Sequence, residues 1–104
     1  MIGFLKKFFS PAPSVNLKEL VKNGAAIVDV RTRAEYQGGH VNGSINMPLN
    51  ELQQSASRLN KAKPVITCCA SGMRSATAKS LLKDLGFSDV HNGGGWTSLN
   101  NKLR

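Results

Sequence analysis

The chain is poor in cysteine, in acidic residues and in aromatics, and it has no long apolar run. Each shortage removes a class of protein. Only two cysteines occur among 104 residues, and they are neighbours, Cys68 and Cys69. Adjacent cysteines make a strained disulfide, and two thiols without nearby histidines make a poor zinc site. That sets aside a disulfide-stapled fold and a zinc-organised one. Thiol chemistry in a reducing compartment, the cytoplasm, is expected instead. Acidic residues number 6 against 14 Lys and Arg, a formal net charge of +8. Aromatics at 6% are too few to interleave with those basic residues as base-stacking platforms. The basic residues are scattered and form no nucleic-acid module, so no nucleic acid is expected as partner. The excess charge reads as a solubilising surface, or as a funnel toward an anionic substrate or an acidic protein partner. No apolar stretch reaches the roughly 20 residues that a membrane-spanning helix needs.

Met1–Phe9 mixes apolar and basic residues, and Ser10-Pro11-Ala12-Pro13 closes the segment. A secretory signal needs a basic start followed by an apolar core of about 7–15 residues. Here Lys6 and Lys7 interrupt the apolar residues. Residues 1–13 therefore read as a tail or edge segment, with membrane-surface contact through Phe4, Leu5, Phe8 and Phe9 as the alternative. Residues 14–104 form one domain, a length that can bury a core without staples.

What remains is an alternation of strand and helix signals. Asn16 is placed to cap a helix carrying Leu17, Leu20 and Val21 at i, i+3, i+4 spacing, with Glu19 at the capping-box position and Gly24 as its stop. Ala25–Val30 is a nearly continuous apolar run, as expected of a strand buried on both faces. Arg33–Gln37 reads as a short helical turn, Ser44–Met47 as a second strand ended by Pro48, and residues 50–59 as an amphipathic helix. Val65–Cys68 is a β-branched third strand. Residues 74–85 carry the apolar stripe Ala78, Leu81, Leu82 and Leu85, with Gly86 as the stop. Asp89–His91 is a fourth short strand, Gly93-Gly94-Gly95 a tight turn, and Trp96–Leu103 a terminal helix. The pattern implies an α/β domain whose mostly parallel sheet of four to five strands has helices on both faces.

In such sheets ligands bind beyond the carboxyl ends of the strands, and Cys69 lies at one. The stretch Cys69-Ala70-Ser71-Gly72-Met73-Arg74-Ser75 joins a strand to a helix. A thiol there sits among unpaired backbone N–H groups at the positive end of a helix dipole, which favours thiolate and holds anions. Gly72 permits a positive φ, so successive N–H groups can turn toward one point. Ala70, Ser71 and Met73 bring no negative charge, Arg74 brings a positive one, and Ser71 and Ser75 bring hydroxyl donors. A free thiol near pKa 8.5 is only a few per cent ionised at neutral pH, so a shift of about two units makes it mostly thiolate. Cys68, one residue earlier, points to the opposite face of the strand.

This loop resembles the active-site loop of the rhodanese superfamily of sulfurtransferases. The likeness runs from about Val15 to the C-terminus. Asp29-Val30-Arg31 resembles the family's Asp-x-Arg strand end. Glu35-Tyr36 and Gly39-His40-Val41-Asn42-Gly43-Ser44-Ile45-Asn46-Met47-Pro48 resemble its Glu-Tyr and Gly-His signature, and Gly93-Gly94-Gly95-Trp96 its terminal turn. The resemblance implies a three-layer fold and covalent catalysis in two displacements. Cys69 would take a sulfane sulfur from thiosulfate or a similar donor and pass it to cyanide or a thiol, without cofactor or metal. Residues 70–75 would cradle the persulfide, and Arg74 would help hold a sulfonate. Asp29 and Arg31 would brace the loop from behind it. His40 would be structural, bonded to backbone, and Trp96 a core or pocket-wall residue. Two other chemistries stay open. A phosphatase- or arsenate-reductase-like enzyme has five residues between Cys and Arg, which is the count from Cys68; the count from Cys69 is four. A persulfide carrier in a relay with a protein partner is the second.

Overall fold

The computed structural model describes residues 15–104, so the sequence expectations for Met1–Phe9 lie outside the described residues. Elements alternate as the sequence pattern requires. Helix α1 is Leu17–Lys22, strand β1 Ala26–Asp29, helix α2 Arg33–Gln37 and strand β2 Ile45–Asn46. A 3₁₀ turn at Leu49–Glu51 leads into α3, Leu52–Ser55, and a second 3₁₀ turn at Ala56–Arg58. Strand β3 is Val65–Cys69, helix α4 Met73–Asp84, strand β4 Val90–Gly95 and helix α5 Trp96–Lys102.

The four strands pair in the order β2-β1-β3-β4, and every pairing is parallel. Parallel strands need crossovers, and the intervening helices supply them on both faces. Along β3 the side chains alternate. Val65 and Cys69 join a cluster with Val28, Val30, Leu52, Ala56, Ala78 and Leu82, which belongs to the α3 and α4 side. Ile66 and Cys68 join Ile27 and Leu99, with Leu17, Leu20 and Val21 packed against them on the α1 and α5 side. Val28, Leu52, Ile66, Leu82 and Leu99 are all fully buried. Truncating a buried leucine of this kind to alanine costs about 2–5 kcal/mol.

From β1 the chain reaches β2 on one side and β3 on the other. Connections on either side of a sheet part company at such a switch point and leave a crevice beyond the carboxyl ends of the two strands. Here those ends are Asp29 and Cys69.

Three local expectations are corrected. Residues 50–59 do not form one helix: a single α turn lies between two 3₁₀ turns, and no side chain caps their starts. So short a segment draws its shape from burying Leu52 and Ala56 rather than from helix propensity. Gly93-Gly94-Gly95 is not a tight turn but the second half of β4. The pairing slips there, Thr67 facing Asn92 while Cys69 faces Gly95, as a bulge does. Gly95 is needed because a Cβ at that position would lie 2.8 Å from the Ala70 carbonyl oxygen. A triple glycine signals a turn by composition, but inside a strand it marks close backbone approach. Finally, β3 runs one residue further than expected and includes Cys69.

Candidate active site

Cys69 ends β3, and three residues later α4 begins with Gly72 as its N-cap, at φ 108°. Glycine has no side chain to cap a helix, and the first turn leaves its N–H groups without intrahelical partners. The Cys69 sulfur takes that place. Gly72 N–H donates to Sγ at 2.9 Å, and Ser75 N–H, three positions into the helix, donates at 3.4 Å. The Ser75 hydroxyl lies 3.6 Å from the same sulfur. A side-chain acceptor for that third N–H is what a Ser or Asp cap ordinarily supplies, so the thiol doubles as the helix cap.

Burial works to push the Cys69 thiol up. The Ser75 hydroxyl and the backbone N–H groups of Ser75, Gly72 and Ser71 outweigh it and hold the thiol below its ordinary value. Cys68 has no such donors. Burial, with the Asp29 carboxylate adding to it, pushes the Cys68 thiol up to about 12. Cys69 is 1% exposed, beneath a loop whose Ala70, Ser71 and Met73 are themselves exposed.

Ser75 carries one hydroxyl proton and faces several acceptors. Its Oγ lies 2.6 Å from Asn92 Oδ1 and 3.0 Å from the Gly72 carbonyl oxygen. Asn92 Oδ1 also accepts the Gly94 N–H at 2.9 Å, and its amide reaches the Gly72 carbonyl at 3.4 Å. Asn92 thus ties β4 to the first turn of α4. The Thr67 hydroxyl donates to the Ser75 carbonyl at 2.9 Å and ties the same turn to β3.

Arg74 is not free at the rim. Its two terminal nitrogens meet the two oxygens of Glu35 at 2.7 and 3.0 Å, a two-point pair with both side chains about a third exposed. Arg74 and a backbone bond from Thr32 hold the Glu35 carboxyl down to about 2. Glu35 also closes a complete capping box with Thr32 at the start of α2.

Asp29 and Arg31 form a second pair, and this one is buried. Arg31 Nε and Nη2 meet the carboxylate at 2.8–3.0 Å. The guanidinium also donates to the carbonyl oxygens of Glu35 at 3.2 Å and Gly39 at 2.7 Å, and it lies 4.8 Å from the centre of the Trp96 ring. The brace therefore reaches the cysteine loop indirectly: Asp29 holds Arg31, Arg31 holds the backbone of α2, and α2 presents Glu35 to Arg74. Asn46 strengthens the same corner, its amide donating to the Asp29 and Arg31 carbonyls at 3.0 Å each. His40 Nδ1 lies 2.7 Å from the Tyr36 carbonyl, and its ring stacks on Tyr36 at 3.8 Å. Both contacts hold His40 to its own neighbourhood, at Tyr36 of α2.

Ser71, Gly72 and Ser75 thus turn donors toward one sulfur, while no bond brings Ala70 or Met73 to it and Arg74 is held by Glu35. Asn92, Asn46 and Glu35 are the residues that sequence reasoning left out of the site. Glu35 had a readable signal, since Thr32-x-x-Glu35 is a capping-box pattern. Asn92 was hidden because Asn-Gly reads as a turn. Among the described residues no group of His, Cys, Asp and Glu is arranged to hold a metal ion, and no helix is long and apolar enough to cross a membrane.

The fold and this corner define an α/β domain with a thiol held at a helix N-terminus in the crevice of a parallel sheet. The model of the rhodanese-like domain matches residues 15–102, and the chain belongs to that family. It is 37% identical over 70 residues to the thiosulfate sulfurtransferase PspE of Escherichia coli, covering 65% of this chain and 67% of that one. It is 38% identical over 66 residues to the putative sulfur carrier protein YrkF of Bacillus subtilis, covering 64% of this chain but only 36% of that one. The solved structure of the human single-domain sulfurtransferase TSTD1 superposes with a TM-score of 0.69 at 29% identity, covering 88% of this chain and 98% of that one.

Proposed function

We propose that the chain is a sulfurtransferase that carries a sulfane sulfur on Cys69. The observation that carries the reading is the Cys69 sulfur accepting two backbone N–H groups at the start of α4, which lowers its thiol. The thiolate attacks the outer sulfur of thiosulfate, a new S–S bond forms, the old one breaks, and sulfite leaves with the electron pair. Cyanide or a thiol then takes the sulfur and returns the thiolate. The N–H groups of residues 70–75 are suited to the negative charge of the persulfide, in the manner of an oxyanion hole. Ala70 and Met73 keep the cradle free of negative charge, Ser71 and Ser75 add donors, and Arg74 stands at the rim as part of its pair with Glu35. Asp29 and Arg31 support the corner. A free thiol nucleophile suits a reducing compartment such as the cytoplasm.

The phosphatase-like reading depended on counting from Cys68. That thiol is buried on the α1 and α5 side and held protonated, which weighs against it. A carrier role in a relay uses the same persulfide, and the likeness to YrkF favours keeping it as the second reading.

The test is intact mass after incubation with thiosulfate, on the wild type, Cys68→Ser and Cys69→Ser. One added sulfur atom is expected on the first two and none on the third, and cyanide should remove it as thiocyanate. An adduct that survives Cys69→Ser and vanishes in Cys68→Ser, or turnover of an aryl phosphate, overturns the proposal.

A further inference from the structure

Resting on that reading, we infer that Glu35 is a specificity residue: by holding Arg74 in a two-point pair it withholds that cation from the donor, so the site favours a singly charged sulfane donor bearing an apolar group over the thiosulfate dianion.

Two independent observations carry this. The first is charge. Six acidic residues serve the whole chain, yet three of them pair with arginines around the carboxyl ends of β1 and β3 and the loops beyond them. Asp29 pairs with Arg31, Glu35 with Arg74 and Glu51 with Arg33. Each of these three arginines is thus matched by a carboxylate, and Arg74 is the one that lies nearest the cysteine turn in sequence. A guanidinium whose fork is already matched by a carboxylate has little left for a sulfonate. The second is shape. Beside Arg74 a groove of about 290 Å³ is lined by Val30, Thr32, Pro48, Leu49, Asn50 and Arg74. Its walls are mainly apolar, and it approaches the lower size of small-molecule sites, roughly 300 Å³. Val30 packs in the same cluster as Cys69, and Arg74 stands in the first turn of α4, whose start holds the Cys69 sulfur. The groove thus shares Arg74 with the helix whose start holds the Cys69 sulfur, and it offers an apolar wall beside that paired cation.

Benzenethiosulfonate and thiosulfate are the probes, because both deliver the same sulfur. In each, the Cys69 thiolate bonds to the outer sulfur and the sulfur–sulfur bond breaks. The electron pair leaves on benzenesulfinate in one case and on sulfite in the other, with no external oxidant or reductant. The readout is the ratio of kcat/KM for the two donors. Wild type is expected to favour benzenethiosulfonate by about tenfold or more. Glu35→Gln removes the charge but keeps a residue that serves the capping box, and it should cut that ratio about tenfold by lowering KM for thiosulfate. Leu49→Ala should cut the ratio roughly fivefold by raising KM for benzenethiosulfonate. A wild-type preference for thiosulfate, or a ratio that either variant leaves unmoved, overturns the inference. If Cys69 still gains sulfur from both donors in that case, the sulfurtransferase reading stands without it. If Cys69 gains sulfur from neither donor, both fall. Should Glu35→Gln fail to fold, Glu35→Asp decides: its shorter side chain breaks the two-point pair and should lower the ratio in the same direction.

Discussion

Cys68 and Cys69 are successive residues of one strand, yet they sit in opposite chemistry. Both are almost wholly buried, so burial alone would make both inert. Cys69 faces the α4 side and meets the ends of backbone dipoles. Cys68 faces the α1 and α5 side and meets Asp29 across the pairing of β1 with β3. The pleat of a strand separates the two environments at a spacing of one residue. A reactive cysteine is therefore a matter of which face it is on and what donors lie there, more than of how much water reaches it. The two ion pairs repeat the lesson. Arg31–Asp29 is buried, whereas Arg74–Glu35 is about a third exposed.

The contrast between the thiols can be broken in four ways. Replacing Cys69 by serine should lower sulfur transfer by at least about a thousandfold, while Cys68→Ala should leave the chemistry intact and change mainly stability; steady-state rates and thermal melts separate the two. Arg31→Met leaves the Asp29 carboxylate buried without its partner. It should cost about 3–5 kcal/mol in denaturant unfolding and disturb the Cys68 side before the Cys69 side. Ser75→Ala removes a donor to the thiolate, and the midpoint of the pH–rate profile should move upward, with roughly a tenfold loss near neutral pH. The last effect is alkaline and is absent at neutral pH. The folded Cys68 thiol is raised above its unfolded value, so the native state keeps its proton from about pH 9 to about 12 while the unfolded chain loses it. Stability should fall over that window, and Cys68→Ala should flatten the fall.

Much of this was legible in the chain. The apolar run Ala25–Val30, the β-branched Val65–Thr67 and the stripe from Ala78 to Leu82 made an α/β domain readable, because burial on two faces leaves a clear pattern. The Cys69–Ser75 stretch marked a strand-to-helix junction through Gly72 and the hydroxyl residues. What was not legible depends on distant pairing. Nothing near Asn92 in sequence says that its side chain meets Ser75, since β4 joins β3 only in the folded sheet. The glycine run looked like a turn because close approach of Gly95 to Ala70 is invisible without the partner strand. The partner of Arg74 is 39 residues away, so the sequence offered a rim cation where the fold has a neutral pair.

The most direct measurement is the pH dependence of iodoacetamide labelling at each cysteine of the native protein, read by peptide mass spectrometry. The donors around Cys69 predict labelling with a midpoint below that of an ordinary thiol, near 8.5, and slowed by thiosulfate. Cys68 should remain unlabelled until the protein unfolds. Equal labelling of the two, or a Cys69 midpoint at or above that of an ordinary thiol, would contradict the claim that the start of α4 activates one sulfur and leaves its neighbour inert.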